Sequence, residues 1–264
     1  MTRLLSEALG DDIRLEPLPE RQISGSGDTP VVSIGPAAFS RVRQENRSAV
    51  QLALLVERPF IDGYVDRSEG RVSAVYQDVP LLRQALTGKA ILPQATRIAL
   101  LANTESAERY ETLIDELAPY DLRARVFIAD SEDQLIPALI RALTYGDFLL
   151  AATDEAIYNP RSIKHILLTA YRRNKILIGP SPAYVKAGAL ASSYAPFDAM
   201  AERAADYLRA YFASGVLPEP DYSPRFKVTV NDQVARSLNI PLPDRDWIAD
   251  AVDQFFSRSQ EAPE

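Results

Sequence analysis

Short apolar runs recur along the chain, and a helical pattern follows most of them. The runs are PVVSIG (30–35), AVQLALLV (49–56), RVSAVY (71–76), RIALLAN (97–103), RARVFIA (123–129), DFLLAA (147–152) and KILIG (175–179). They are nearly continuous in Val, Ile, Leu and Ala rather than alternating. Strands buried on both faces read this way, so parallel sheets covered by helices are expected. The segments between them carry helix-start signals. Asn103 and Thr104 are placed to cap a helix running through Leu113 and Leu117. Ser131 and Gln134 have the spacing of a capping box. Asn159 caps, and Pro160 fits the first helical position before RSIKHILLTAYRR (161–173). There Ile163, Ile166, Leu167 and Ala170 share one face, with Arg172 and Arg173 at the negative end of the helix dipole. A β-α-β-α alternation of this length predicts a doubly wound α/β architecture.

Three irregular stretches divide the alternation: a polar turn at 61–70, a Pro- and Gly-containing loop at 180–190, and the Pro-rich VLPEPDYSPRF at 216–226. If the chain crosses between lobes there, residues 1–78 with 188–218 form one lobe, and 79–187 with 219–264 the other. The long helix PFDAMAERAADYLRAYFASG (196–215) belongs to the first. The chain opens on half a helix (Leu4, Leu5, Ala8, Leu9) where a doubly wound lobe normally opens on a strand. The expected first strand therefore either lies upstream of Met1 or is missing from this lobe. The end, 257–264, is expected to fray.

Composition narrows the chemistry. Hydrophobic content of 47% and charged content of 25% are those of an ordinary globular protein. A net charge of −7 argues against nucleic-acid partners, which need Lys and Arg in excess. There is no cysteine, so disulfides and thiolate chemistry are excluded. No apolar run approaches the roughly 20 residues of a membrane span, so no direct membrane insertion is expected. MTRLLSEALGDD is not a secretory signal, which has a basic start and a continuous apolar core.

Catalytic groups are scarce. The one histidine, His165, falls in the middle of a helix, where a structural role is expected. Zinc-protease, nucleophile-elbow, P-loop and dinucleotide glycine motifs are all missing. Neither a catalytic residue nor a cofactor or metal is expected. Ligands of open parallel sheets bind outside the carboxyl ends of the strands. Those ends carry Gly35-Pro36, Glu57-Arg58, Asn103-Thr104, Ala129-Asp130, Thr153-Asp154 and Gly179-Pro180-Ser181. Each alone also reads as a turn or cap. Together they would line a crevice with hydrogen-bonding groups and few nucleophiles. Tyr76, Tyr158, Tyr184 and Tyr194 fall close by, each with an apolar face and a hydroxyl, and each also readable as a core tyrosine.

Several of these segments resemble the ABC-transporter substrate-binding protein family of the type I periplasmic-binding fold. The resemblance rests on Thr153-Asp154 before a helix, on Lys186-Ala187-Gly188-Ala189-Leu190 after the next strand, and on Asn231 through Ala235, Leu238, Ile240 and Pro241 near the end. RIALLANTES also matches the family's first central-lobe strand. The likeness covers roughly residues 70–245. It implies two α/β lobes joined by crossover segments, a small organic, amino-acid-like ligand held between them, an ABC permease as partner, and a periplasmic location. The strand-end groups and the tyrosines near them supply the expected ligand set: Gly35, Pro36, Glu57, Arg58, Tyr76, Asn103, Thr153, Asp154, Tyr158, Ser181 and Tyr184. Tyr76, Gln77 and Asp78 would lie at the first crossover. Asp154 would pair with an ammonium or hydroxyl group, with Glu57 and Arg58 across from it. Three departures stand out: the family's signal peptide and first strand have no counterpart, Glu155 replaces the usual Asn, and Pro180 and Pro182 stand where relatives often have Ser and Asp. A ligand sensor serving a signalling partner is an alternative on the same fold, and an enzyme on a doubly wound fold a more distant one.

Overall fold

The computed structural model describes residues 1–261. The chain begins with α1 (Thr2–Leu9) and a 3-10 turn at Glu20–Gly25. Then β1 (Val31–Ile34), α2 (Pro36–Glu45), β2 (Gln51–Val56), α3 (Arg58–Val65) and β3 (Val72–Tyr76) alternate. Next come α4 (Leu81–Ile91), β4 (Arg97–Ala102), α5 (Glu111–Glu116), β5 (Arg123–Ile128), α6 (Glu132–Tyr145), β6 (Phe148–Leu150), α7 (Ser162–Arg172), β7 (Ile176–Ile178), α8 (Pro182–Ala187) and β8 (Ala191–Tyr194). The chain continues through α9 (Phe197–Ser214), β9 (Asp221–Tyr222), β10 (Lys227–Val230), α10 (Asp232–Ser237) and α11 (Arg245–Glu261). Each strand expected from an apolar run is present within a residue or two of its predicted ends. The stretch expected to fray instead continues α11 as far as Glu261, and 262–264 lie outside the described residues.

The chain divides into two units. The first comprises Met1–Val79 and Ala195–Phe226. Its four strands run parallel in the order β1-β2-β3-β9. One face of the sheet packs Leu52, Leu54 and Val75 against Leu5 and Leu9 of α1 and Met200, Ala204, Tyr207 and Leu208 of α9. The other face packs Ala53, Val56, Ala74 and Tyr76 against Phe39 of α2 and Ile61 of α3. Burial from both sides is why β2 reads as an unbroken apolar run. Leu5 and Leu9 are each 1% exposed. Burying a leucine this fully contributes about 1.5–3 kcal/mol, which is what holds α1 down.

The second unit comprises 80–194 and the segment from Lys227 onward. Its strand order is β10-β8-β7-β6-β4-β5, parallel except for β10, which is antiparallel to β8. The chain steps from β4 outward to β5, then returns to the other side of β4 with β6. The order therefore reverses between β4 and β6, and the loops after these two strands flank the reversal. This is the position at which doubly wound sheets take ligands.

Two expected lobe boundaries are corrected. Residues 188–194 belong to the second unit, because β8 pairs with β7 and β10. Residues 219–226 belong to the first, because β9 pairs with β3. The first crossover falls at Val79/Pro80. The run 123–129 is not buried on both faces. β5 is an edge strand whose Arg123, Arg125 and Ile128 are exposed while Phe127 is buried.

The capping chemistry also differs in detail. Gln134 does reach back, but its Oε1 accepts from the N–H of Asp130 (2.9 Å), one residue before the expected Ser131. Asn159 Oδ1 accepts from the N–H groups of Arg161 (2.9 Å) and Ser162 (3.1 Å), and so caps α7 as read. Asn103 caps only its own turn. Its Oδ1 accepts from Ser106 N–H (2.7 Å), while its N–H donates to Ser106 Oγ (3.1 Å).

Candidate functional site

In the first unit, the strand-end groups converge through a bulge. Leu54 pairs with Val75 and Val56 with Tyr76, so Leu55 is an extra residue in β2. Its φ of 55° is left-handed, a conformation that costs a non-glycine residue about 1 kcal/mol. Glu57, extended at φ −91° and ψ 150°, then precedes α3, with Arg58 in its first turn. Arg58 Nε donates to Asp62 Oδ2 (3.2 Å), and the Tyr76 hydroxyl donates to Asp62 Oδ1 (3.1 Å). The Arg58 main-chain N–H donates to Asp78 Oδ1 (3.2 Å). Tyr76 and Tyr222 are in tilted ring contact, at 57° with centroids 4.8 Å apart.

Burial governs the titration of this cluster. It pushes Asp78 up to about 6, opposed by the Arg58 N–H and assisted by the charge of Glu57. It also pushes Tyr222 up to about 12 and Tyr76 well above the ordinary tyrosine range, where Asp62 adds to the effect. Both hydroxyls therefore remain donors at any physiological pH. Gly35 sits at the end of neighbouring β1. Its φ of 86° makes the turn into α2, its N–H donates to Leu54 O (2.8 Å), and Pro36 opens the helix on the surface. These two residues shape the strand end without offering a side-chain polar group.

In the second unit, the loop after β6 carries the more unusual arrangement. Asp154 is 5% exposed. Its Oδ1 accepts from Ala156 N–H (3.0 Å), whereas its buried Oδ2 has no hydrogen-bond partner. Tyr158 is 4% exposed, and its hydroxyl is likewise buried without a partner. Burial raises the Tyr158 hydroxyl far above the ordinary range, and Tyr110, Asp154 and Tyr184 nearby push the same way. The Tyr184 hydroxyl donates to Tyr158 O (3.0 Å), and the Tyr110 hydroxyl to Leu101 O (3.2 Å). Gly179 makes room for Tyr184, since a Cβ there would stand 2.6 Å from the Tyr184 Cβ.

The fold thus brings Glu57, Arg58 and Tyr76 together in one unit, and Asp154, Tyr158 and Tyr184 in the other. Asn103 spends its side-chain oxygen on its own turn. Thr153 takes part through its carbonyl, which accepts from Arg109 (2.9 Å). Thr104 is tied to Asp130 by its N–H (2.7 Å) and its hydroxyl (3.0 Å). Ser181 precedes α8, half-buried, and makes no side-chain cap. Sequence reading missed Asp62, Tyr110 and Tyr222. Asp62 was legible as the residue one helical turn after Arg58, whereas the two tyrosines sit far along the chain from the groups they join. The arrangement offers donors and acceptors. His165 is exposed on α7. Among the described residues no group of His, Cys, Asp and Glu could hold a metal ion, and no helix is long and apolar enough to cross a membrane.

No family model and no curated protein matches the chain. Solved structures do. A ligand-free, open substrate binding protein with adhesive properties from Clostridium difficile aligns with a TM-score of 0.70 at 15% identity, over 92% of this chain and 80% of that one. A conserved domain protein from Vibrio cholerae aligns at 0.61 and 16% identity, over 94% and 91%. An ABC domain from Streptococcus pneumonia in complex with L-Trp aligns at 0.59 and 14% identity, over 94% and 92%. The chain has a type I periplasmic-binding-protein-like fold.

Proposed function

We propose that the chain is a non-enzymatic solute-binding protein for a small amine or zwitterion, serving an ABC-type importer from outside the cytoplasmic membrane. Asp154 supports this reading most directly. Its Oδ2 is buried at the reversal of the second sheet and lacks a donor, next to a Tyr158 hydroxyl that lacks an acceptor. Burying a carboxylate oxygen without a hydrogen bond is costly, and a ligand ammonium removes that cost. The likeness in fold to substrate-binding proteins supports a binding role and leaves the ligand open.

The test is a thermal-shift screen over amino acids, amines and organic acids, followed by calorimetric titration of the hits. Ligand at 100 times its Kd adds about 2.7 kcal/mol to stability, which a melting curve resolves. An amine or zwitterion is expected to bind. Asp154→Asn is expected to weaken it about tenfold to a hundredfold, the worth of one charge-assisted hydrogen bond. If only carboxylates or sugars bind, or if Asp154→Asn binds as tightly as the parent, the assignment fails.

A further inference from the structure

The free edge of the second unit's sheet carries an inference independent of the ligand site. β5 is the last strand of its sheet and pairs only with β4. Arg123 donates its N–H to Thr96 O (3.0 Å) and Ala129 its N–H to Ala102 O (2.8 Å). In a parallel pair, alternate residues address the same neighbour. Ala124, Val126 and Ile128 therefore turn their main-chain N–H and C=O groups outward, where no strand follows among the described residues. Along this edge a groove of about 480 Å³ runs between β5 and α6, lined by Arg125, Phe127, Ile128, Ile140, Arg141 and Tyr145.

The charge here opposes that of the molecule. The chain carries −7 overall, yet Arg123, Arg125 and Arg141 are all exposed on this edge. Among the described residues none of the three has a carboxylate within ion-pair distance, whereas neighbouring Arg97 is paired with Asp147 at 3.4 Å. The Arg125 guanidinium lies over Phe127 (5.3 Å) and Tyr145 (6.0 Å), which sets it at the groove.

We propose that this edge takes up an extended acidic segment of another protein as an added strand. The outward main-chain groups supply the pairing, the groove takes alternate side chains, and the three arginines select for carboxylates. A second copy of the chain is the wrong occupant. Two β5 edges brought together would set arginine against arginine, which is how edge strands avoid pairing with themselves. A free polyanion would meet the charge but leave the main-chain groups unpaired.

The probe is a labelled octapeptide of alternating Glu and Val, followed by fluorescence anisotropy on the full chain. It is expected to bind, more weakly as salt rises, while the Lys-Val counterpart does not bind. Arg125→Glu with Arg141→Glu is expected to weaken binding by about tenfold or more. Val126→Pro removes an outward N–H that β4 does not use, so the melting temperature should hold while binding is lost. A Glu-Val peptide N-methylated at every residue, which has no main-chain donor on either edge, should also fail to bind, and this arm needs no variant to fold. The proposal is overturned if the Glu-Val peptide does not bind, if it binds the charge-reversed variant unchanged, or if the N-methylated peptide or inorganic polyphosphate binds equally tightly. A homodimer that Val126→Pro dissociates would overturn it too.

Discussion

At the scale of single residues, the informative side chains are those whose protonation or pairing the fold leaves unfavourable. Asp78 is held near 6 against an ordinary value of 3.8, chiefly by burial. Its native form therefore binds more protons than its unfolded form between those values. Stability from this group is full below about pH 4 and is lost as pH rises through about 6. The ionised carboxylate costs about 2–3 kcal/mol at neutral pH. Asp78→Asn keeps an acceptor for the Arg58 N–H without the charge. It is expected to raise stability by about 1–2 kcal/mol at pH 7 and to flatten the slope between about pH 4 and 6, as read by urea unfolding at both ends. Tyr158→Phe removes a buried hydroxyl that has no partner, and should leave the ligand-free protein equally stable or up to about 1 kcal/mol more stable. A loss above about 2 kcal/mol would mean that the hydroxyl is paired in solution. Of this scale, the sequence showed which residue types stand at strand ends. It did not show which would be spent on their own turns, as Asn103 is, because a short polar side chain after a strand satisfies a cap and a ligand equally well.

At the scale of elements, periodicity located the strands and most helices because burial on both faces leaves a pattern that local sequence records. β5 is the exception, and the arginines at 123 and 125 were its signal: an interior strand cannot bury them, and an edge strand can. Long-range polar contacts left no such trace. The Gln84 amide donates to Ser193 O and accepts from Ser193 N–H, both at 2.8 Å, and so joins α4 to β8 across most of the unit. Nothing near position 84 announces a partner so far along the chain. Gly88 is a similar case. It interrupts α4 at a position where helix propensity favours alanine by up to about 1 kcal/mol. A Cβ there would lie 2.6 Å, 2.7 Å and 3.1 Å from ring carbons of Phe148 in β6, so the glycine sets how closely the helix approaches the sheet. Gly88→Ala is therefore expected to destabilise by about 1–2 kcal/mol, overpacking outweighing propensity. Phe148→Leu in the same chain should recover part of that loss, giving a non-additive double-mutant cycle by chemical denaturation. Additive losses would mean that the ring and the helix do not meet.

At the scale of the whole molecule, the first unit is built from two stretches of chain that are far apart in sequence. The Pro-rich and Gly-containing stretches marked where such crossings fall, but not to the residue, because β8 and β9 are short and lie beside those loops. The consequence for folding can be derived from the core. Leu5, Leu9, Leu52, Leu54 and Val75 come from the first stretch, and Met200, Ala201, Ala204, Ala205, Tyr207 and Leu208, which cover them, come from α9 in the second. A fragment of residues 1–79 would leave that face of the sheet in water. At about 25 cal/mol per Å² of apolar surface, several uncovered leucines and valines represent on the order of 10 kcal/mol, the size of a whole domain's net stability. The fragment is expected to show no cooperative thermal transition by circular dichroism. A chain joining residue 79 to residue 195 through a Gly-Ser linker and ending at 226 restores both α9 and β9, and is expected to melt cooperatively as a domain. If the 1–79 fragment melts cooperatively on its own, the α9 contacts are dispensable and the first unit's core lies elsewhere. If the fragment does not fold and the joined chain does, the unit depends on its own returning helix for stability.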